Sequence, residues 1–329
     1  MTTLLDRIDS PPDDITPQAD PAEPEAPADR LRATMAACRV QFTWLGTQKS
    51  LTPEQRSAAA GAFDADGRAL AAGKKLLDVA HPAFRAVTAV RGQVESHWRS
   101  LTLPFPEAGV RLIRQERVDE FARRMAGYRA DLDHAVAALD RHYAELRAAA
   151  RDRLGSLYDE SDYPATLVGL FGVAWDFPSL EPPGYLVALS PAVYEQERAR
   201  VAARFEQAVE LAERAFLDEF ARLVEHLAGR LAGAGEDGEP KVFRDSAVGN
   251  LRAFFERFKE LNVRSNPELD ALVERARRAV RGATAQGLRD EPELRERVAA
   301  GLSQVRGSLD ALLVDRPRRR VLRQPAGGA

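Results

Sequence analysis

Apolar residues recur at intervals of three and four through the middle of the chain: Val118, Phe121, Met125, Tyr128, Leu132, Val136, Leu139, Tyr143, Leu146, Ala150 and Leu154. This is a heptad-like seam. It predicts a helix over about 115–155, ~60 Å long at a rise of 1.5 Å per residue. A second stripe runs through Val201, Phe205, Ala208, Ala212, Phe216, Phe220, Leu223, Leu227 and Leu231. It predicts a helix from Pro191 to about Leu231, with Ser190 as N-cap and Pro191 at the first helical position. Two helices of similar length joined by a connector are expected to fold back on each other. The fold class read from this pattern is mainly α: a long antiparallel, coiled-coil-like helical hairpin with a small β-hairpin tip and additional packing helices.

The connector, 158–190, is more than a turn. Its apolar and turn residues predict a short helix followed by a β-hairpin that pairs Val173–Phe177 with Tyr185–Leu189. An isolated two-stranded hairpin is marginal in water, so a covering element is expected. Upstream, residues 30–38 suit a short helix, and Val40, Phe42 and Trp44 alternate with polar residues as in a strand. Residues 53–101 read as three helical pieces, starting at Pro53, at Asp66 (running to Leu77) and at Pro82. Pro104 and Pro106 then break the chain. Three amphipathic helices are expected near the C-terminal end, carrying Val248 to Leu261, Leu269 to Val280 and Leu294 to Leu312. The organisation is then a disordered acidic, Pro-rich tail (1–28), a strand with short helices (29–106), the hairpin (107–233) with its tip (158–190), a linker (234–244), C-terminal helices (245–315) and a basic tail (316–329).

Composition narrows the function more by exclusion than by indication. The chain has 329 residues with 45% hydrophobic and 29% charged, the balance of a globular protein. Residues 1–28 hold seven acids against one base, Arg7. A segment of −6 within a chain of net −3 leaves about +3 on the rest, weak grounds for nucleic-acid binding. Cys38 is the single cysteine, which excludes an intrachain disulfide and a thiolate-rich metal site and suits a small core residue. No basic and apolar leader and no run of ~20 apolar residues is present, so the expected location is the cytoplasm.

HExxH, Walker A, GxGxxG, GxSxG and kinase patterns are missing. His134 and His142 share a helix face but lie ~12 Å apart along it, too far for one ion. The acids Asp159, Glu160 and Asp162 read first as a solvated loop, with acid–base work, cation binding or a docking patch as the sharper alternatives. The sequence therefore predicts no enzyme, no cofactor and no metal. Large apolar residues of the tip, Leu170, Phe171, Trp175, Phe177 and Tyr185, and the face Phe254, Phe255 and Phe258 are the candidate partner-binding residues. The tip residues are core if the N-terminal region covers them and a partner or membrane site if it does not. Arg318, Arg319, Arg320 and Arg323 are candidates for weak, salt-sensitive contact with nucleic acid.

One stretch carries a resemblance. Lys241-Val-Phe-Arg-Asp-Ser-Ala-Val-Gly-Asn-Leu-Arg-Ala-Phe-Phe255 and Leu261-Asn-Val-Arg-Ser-Asn-Pro-Glu-Leu269, together with the order of elements over about 38–282, resemble an uncharacterised family of phages, plasmids and integrative elements. Members of that family are encoded beside a MoxR-type AAA+ ATPase and a von Willebrand A-domain protein. The resemblance implies a non-catalytic component of an ATPase-driven assembly on a mobile element, with a role in phage defence, and brings no catalytic residues with it. The function expected from the sequence is thus a helical scaffold or adaptor that self-associates or binds such an ATPase. Two other readings stand beside it: a helical pore former or membrane-active protein using the apolar tip, and a nucleic-acid-associated protein using the basic tail.

Overall fold

The computed structural model describes residues 26–232 and 246–315. The acidic tail but for its last residues, the linker and the basic tail with Arg318, Arg319, Arg320 and Arg323 lie outside the described residues. The chain enters with α1 (Pro27–Thr34), which passes without a loop into β1 (Met35–Thr43). A two-stranded antiparallel ribbon follows, made by β2 (Gln48–Ser50) and β3 (Gly73–Lys75), with α2 (Pro53–Gly61) between them. The N-terminus of α2 is held by a capping box in which Gln55 N–H donates to Thr52 Oγ1 and Thr52 N–H donates to Gln55 Oε1. The helix expected from Asp66 to Leu77 does not form. Asp66 Oδ1 accepts from the Arg68 N–H at 2.9 Å, a local turn that competes with helix, and Gly73–Lys75 pairs with β2 instead.

α3 (Pro82–Ser100) begins at Pro82, as the sequence predicts. Two strands that the prolines hide come next, β4 (Thr102–Pro104) and β5 (Val110–Arg114). The first long seam then divides into α4 (Val118–Arg141) and α5 (Tyr143–Leu154), broken at His142, whose backbone sits at φ −94° and ψ 0°. β6 (Gly172–Asp176) and the single turn α6 (Leu186–Leu189) precede α7 (Pro191–Ala232), the longest helix among the described residues. The C-terminal part holds α8 (Ser246–Leu261), α9 (Pro267–Ala279), the short α10 (Ala285–Asp290) and α11 (Pro292–Asp315).

A four-stranded antiparallel sheet in the order β4–β5–β1–β6 divides the protein. The first half of β1 pairs with β5, from Met35 opposite Arg114 to Arg39 opposite Val110. Its second half pairs with β6, from Arg39 opposite Asp176 to Thr43 opposite Gly172. Both faces are apolar. Met35, Ala37, Val110 and Leu112 enter one core with α1, α7, α8, α9 and α11. Cys38, Val40, Ile113 and Val173 enter the other with α3, α4 and α5. Two apolar sheet faces each need a helical layer, and each long helix supplies one.

This arrangement corrects the expected hairpin. The seam of α4 is buried, but against α3 and the sheet. The stripe of α7 packs on α11, α1 and α8 in the opposite core. The heptad spacing reported a buried face correctly and said nothing about which element covers it. Phe254, Phe255 and Phe258 are likewise not a surface. They are buried against Phe216 and Phe220 of α7, with Phe220 stacked on Phe254 at 5.2 Å and Phe216 edge-on to Phe258 at 5.0 Å.

Close approach of α9 and α11 depends on Gly301, where an added Cβ meets the Ala279 Cβ at 2.9 Å. Glycine to alanine inside a helix normally stabilises by up to ~1 kcal/mol. Here the contact reverses that sign. Gly301→Val is expected to cost about 1–3 kcal/mol, read from the urea midpoint; a variant as stable as the parent would mean the two helices are free to separate.

Candidate interaction surface

The segment between α5 and α7 is anchored at its base by polar contacts. The Asp162 side chain is 1% exposed and is shared by Lys49 and Lys74 of the β2–β3 ribbon, the latter at 2.6 Å. Lys74, 5% exposed at its side chain, also donates from Nζ to the Leu157 carbonyl at 2.7 Å. Burial alone would raise the Asp162 carboxyl, but the two ammonium groups hold it below the usual carboxylate range. The reading of Asp159, Glu160 and Asp162 as one solvated loop thus fails for Asp162. Glu160 stays at the surface, paired with Arg147 and Arg151, and Asp159 accepts from the Ser161 N–H at 2.9 Å. Beside them Tyr158 stacks on Tyr163 at 4.9 Å, and the Tyr163 hydroxyl donates to the Leu76 carbonyl.

Beyond this base the chain crosses the sheet edge as β6, because Val173 fills the core and Phe171 packs edge-on against Trp44 at 4.9 Å. Strand pairing is reinforced by the Arg39–Asp176 ion pair, which lowers the Asp176 carboxyl. Arg129 Nε donates to the Val173 carbonyl at 3.2 Å, and its guanidinium lies 4.5 Å from the Trp175 ring. Phe177 reaches Phe121 at 6.3 Å. Arg32 of α1 then ties Glu181, with Nε donating to Oε1 at 2.8 Å. The expected β-hairpin is absent: β6 pairs with β1, and Leu186–Leu189 forms a helical turn. The cover that an isolated hairpin lacks comes from the N-terminal strand.

The tip residues read from the sequence therefore separate. Phe171 is core, Leu170 and Trp175 are half-buried, Phe177 is 37% exposed and Tyr185 is 64% exposed. The apolar run continues past them through Val187, Leu189 (75% exposed) and Val193, all exposed. Val187 and Val193 were not singled out by sequence, since each also fits the interior of a short helix or strand. Along α7, residues 191–200 contain no buried side chain, and burial starts at Val201. Ten residues amount to ~15 Å of helix. The N-terminal three turns of α7 therefore extend past the core, and with α6 they display apolar side chains to solvent.

Other groups of chemical interest have structural roles. Cys38 is fully buried, and burial pushes its thiol up to about 12, so it is an inert core residue. His97 stacks on Phe121 at 5.7 Å, and burial and then Arg124 lower its imidazole, disfavouring the charged form. The fold brings His81 and His142 to 5.2 Å, a pairing hidden by 60 intervening residues. Among the described residues no group of three or more His, Cys, Asp or Glu is placed to hold a metal ion, and no helix is long and apolar enough to cross a membrane. Comparison of the chain with protein-family models, with curated proteins and with solved structures gives no match.

Proposed function

We propose that this protein is a non-catalytic scaffold or adaptor that acts through protein–protein contact at the apolar tip formed by α6 and the start of α7. The observation that supports this reading is the exposure of Tyr185, Val187, Leu189 and Val193 on a helical segment, 185–200, that half-buries Leu186 and Tyr194 and fully buries no side chain. The rest of the segment is pinned by Asp162, Asp176 and Glu181, so the tip is held at a set distance and direction from the core. A rigid apolar projection loses little conformational entropy on docking. The resemblance of 241–269 to mobile-element proteins supports a place in an ATPase-linked assembly.

The double variant Tyr185→Ser, Leu189→Ser is expected to fold with stability within about 0.5 kcal/mol of the parent, since both side chains are solvent-facing. It is also expected to lose self-association or the complex with the ATPase, measured by light scattering on each protein alone and on the mixture. Assembly at parental strength in the double variant would sink the proposal. Leakage of dye-loaded vesicles by the parent, abolished in the variant, would transfer the tip to a membrane role.

A further inference from the structure

A second feature lies far from the tip in the sequence, in the cleft where the end of α3 and strand β4 meet α7 and α8. The cavity there is about 680 Å³, within the range of small-molecule sites. Four elements each supply a guanidinium to its lining: Arg99 from α3, Arg111 from β5, Arg222 from α7 and Arg257 from α8. Three acids are present as well. Glu95 is paired with Arg91 and Glu219 with Arg257, leaving Asp218 against Arg99, Arg111 and Arg222. The cleft therefore carries an excess of positive charge.

Arg111 is the telling residue. Its Nε donates to Thr102 Oγ1 at 2.7 Å and its Nη2 to the Thr102 carbonyl at 2.9 Å. Thr102 is itself buried, and its hydroxyl donates onward to the Trp98 carbonyl. The guanidinium is thus fixed in orientation, 5.9 Å from the Trp98 ring centre, and among the described residues Nη1 makes no hydrogen bond. Among the described residues it has no carboxylate within ion-pair distance. Burial and then the neighbouring Arg99 and Arg257 lower it to about 10. A half-buried cation with like-charged neighbours and no acid is costly to maintain. Such a cost is relieved when an anion binds, and the fixed fork suits the oxygens of phosphate. Arg99 and Arg111 also border an adjoining cavity of about 530 Å³ lined by Trp98, Pro104 and Phe105, room for the uncharged part of a ligand.

A competing basic pocket, at Arg30, Arg114, Lys259 and Arg264, is explained differently. There Arg30 and Arg114 donate to the Val263 and Glu260 carbonyls and so cap the end of α8.

We infer that the cleft between α3, β4, α7 and α8 binds a phosphate-bearing small molecule, with Arg111 and Arg99 as its principal contacts. This stands apart from the tip and does not depend on it. The test uses the full chain, pyrophosphate as probe and isothermal titration calorimetry at constant ionic strength. Arg99→Ala and Arg222→Ala alter exposed side chains and leave the core intact. Arg99→Ala is expected to weaken pyrophosphate by about tenfold or more, the loss of a charge-assisted contact. Arg68→Ala, at an exposed arginine of the α2–β3 loop, is expected to leave affinity unchanged. No saturable binding by the parent at millimolar pyrophosphate would overturn the inference. An equal loss in Arg68→Ala would overturn it too, by showing diffuse charge attraction. Single-stranded DNA bound more tightly than pyrophosphate, with the same dependence on Arg99 and Arg222, would reassign the cleft to nucleic acid.

Discussion

Phe254→Ala is expected to destabilise the protein by about 3–5 kcal/mol, the range for truncating a fully buried phenylalanine. The Phe254 ring is 1% exposed. It lies parallel to Phe220 at 5.2 Å and contacts Phe216 at 6.2 Å, Phe255 at 6.1 Å and Phe258 at 5.8 Å, so its removal leaves a hole bounded by four aromatic rings. Those neighbours sit on two helices, α7 and α8, whose backbones are held by many other contacts. Collapse around the hole is therefore limited, and the cavity penalty adds to the lost burial. Equilibrium denaturation in urea measures the loss. The sequence had offered this same face as a docking surface, which predicts the opposite pair of results: parental stability and lost binding. A Phe254→Ala protein with an unchanged midpoint would show that α8 does not pack as described.

Asp162→Asn is expected to cost on the order of 3 kcal/mol, because removing one partner strands a buried charge. Lys74 would keep the Leu157 carbonyl but lose its counter-ion while remaining 5% exposed at its side chain. Lys49 and Lys74 tie the ribbon β2–β3 to the 155–163 connector through Asp162 and the Leu157 carbonyl, so local loosening is expected there first, seen as faster amide exchange in residues 48–50 and 73–75. The effect depends on pH with a definite sign. The Asp162 carboxyl is held below its unfolded value by Lys49 and Lys74. Its contribution is complete above the unfolded pKa of about 4 and is lost as pH falls through the lower folded value. The stability difference between parent and Asp162→Asn is expected to be constant from neutral pH down to about pH 5 and to narrow below that. A difference that widened on acidification would mean that the carboxyl is protonated in the folded protein.

The sequence also accounts for several elements whose local signals agree with one another. Ser190-Pro191 and Asn266-Pro267 start α7 and α9 where capping chemistry places them, and Asn266 Oδ1 does accept from the Leu269 N–H at 3.0 Å. The alternation through Val40 and Phe42 is β1, and Pro82 opens α3. The apolar stripes of α4, α7, α8, α9 and α11 are buried. Each of these is a property of a short window, in which backbone donors, side-chain acceptors and spacing are all local.

What remained was decided by residues distant in the chain. β4 and β5 are three and five residues long, with Pro104 and Pro106 at and beyond the end of β4, and become strands only because β1 offers an edge to β5 and β5 in turn offers one to β4. β6 chooses β1 over its expected hairpin partner for the same reason. Asp162 looks like one acid in a polar loop until Lys49 and Lys74 arrive from more than 80 residues away. Arg99, Arg111, Arg222 and Arg257 form one cleft only after four elements converge. The sequence by itself determined where helices begin and which of their faces are apolar, since a capping side chain and a 3.6-residue period act within a few turns. Only the tertiary structure decided which partner each apolar face meets, which aromatics stay exposed at the tip and which charges are gathered or buried. Those outcomes depend on packing between elements, and packing is set by shape and burial across the whole molecule rather than by any one segment.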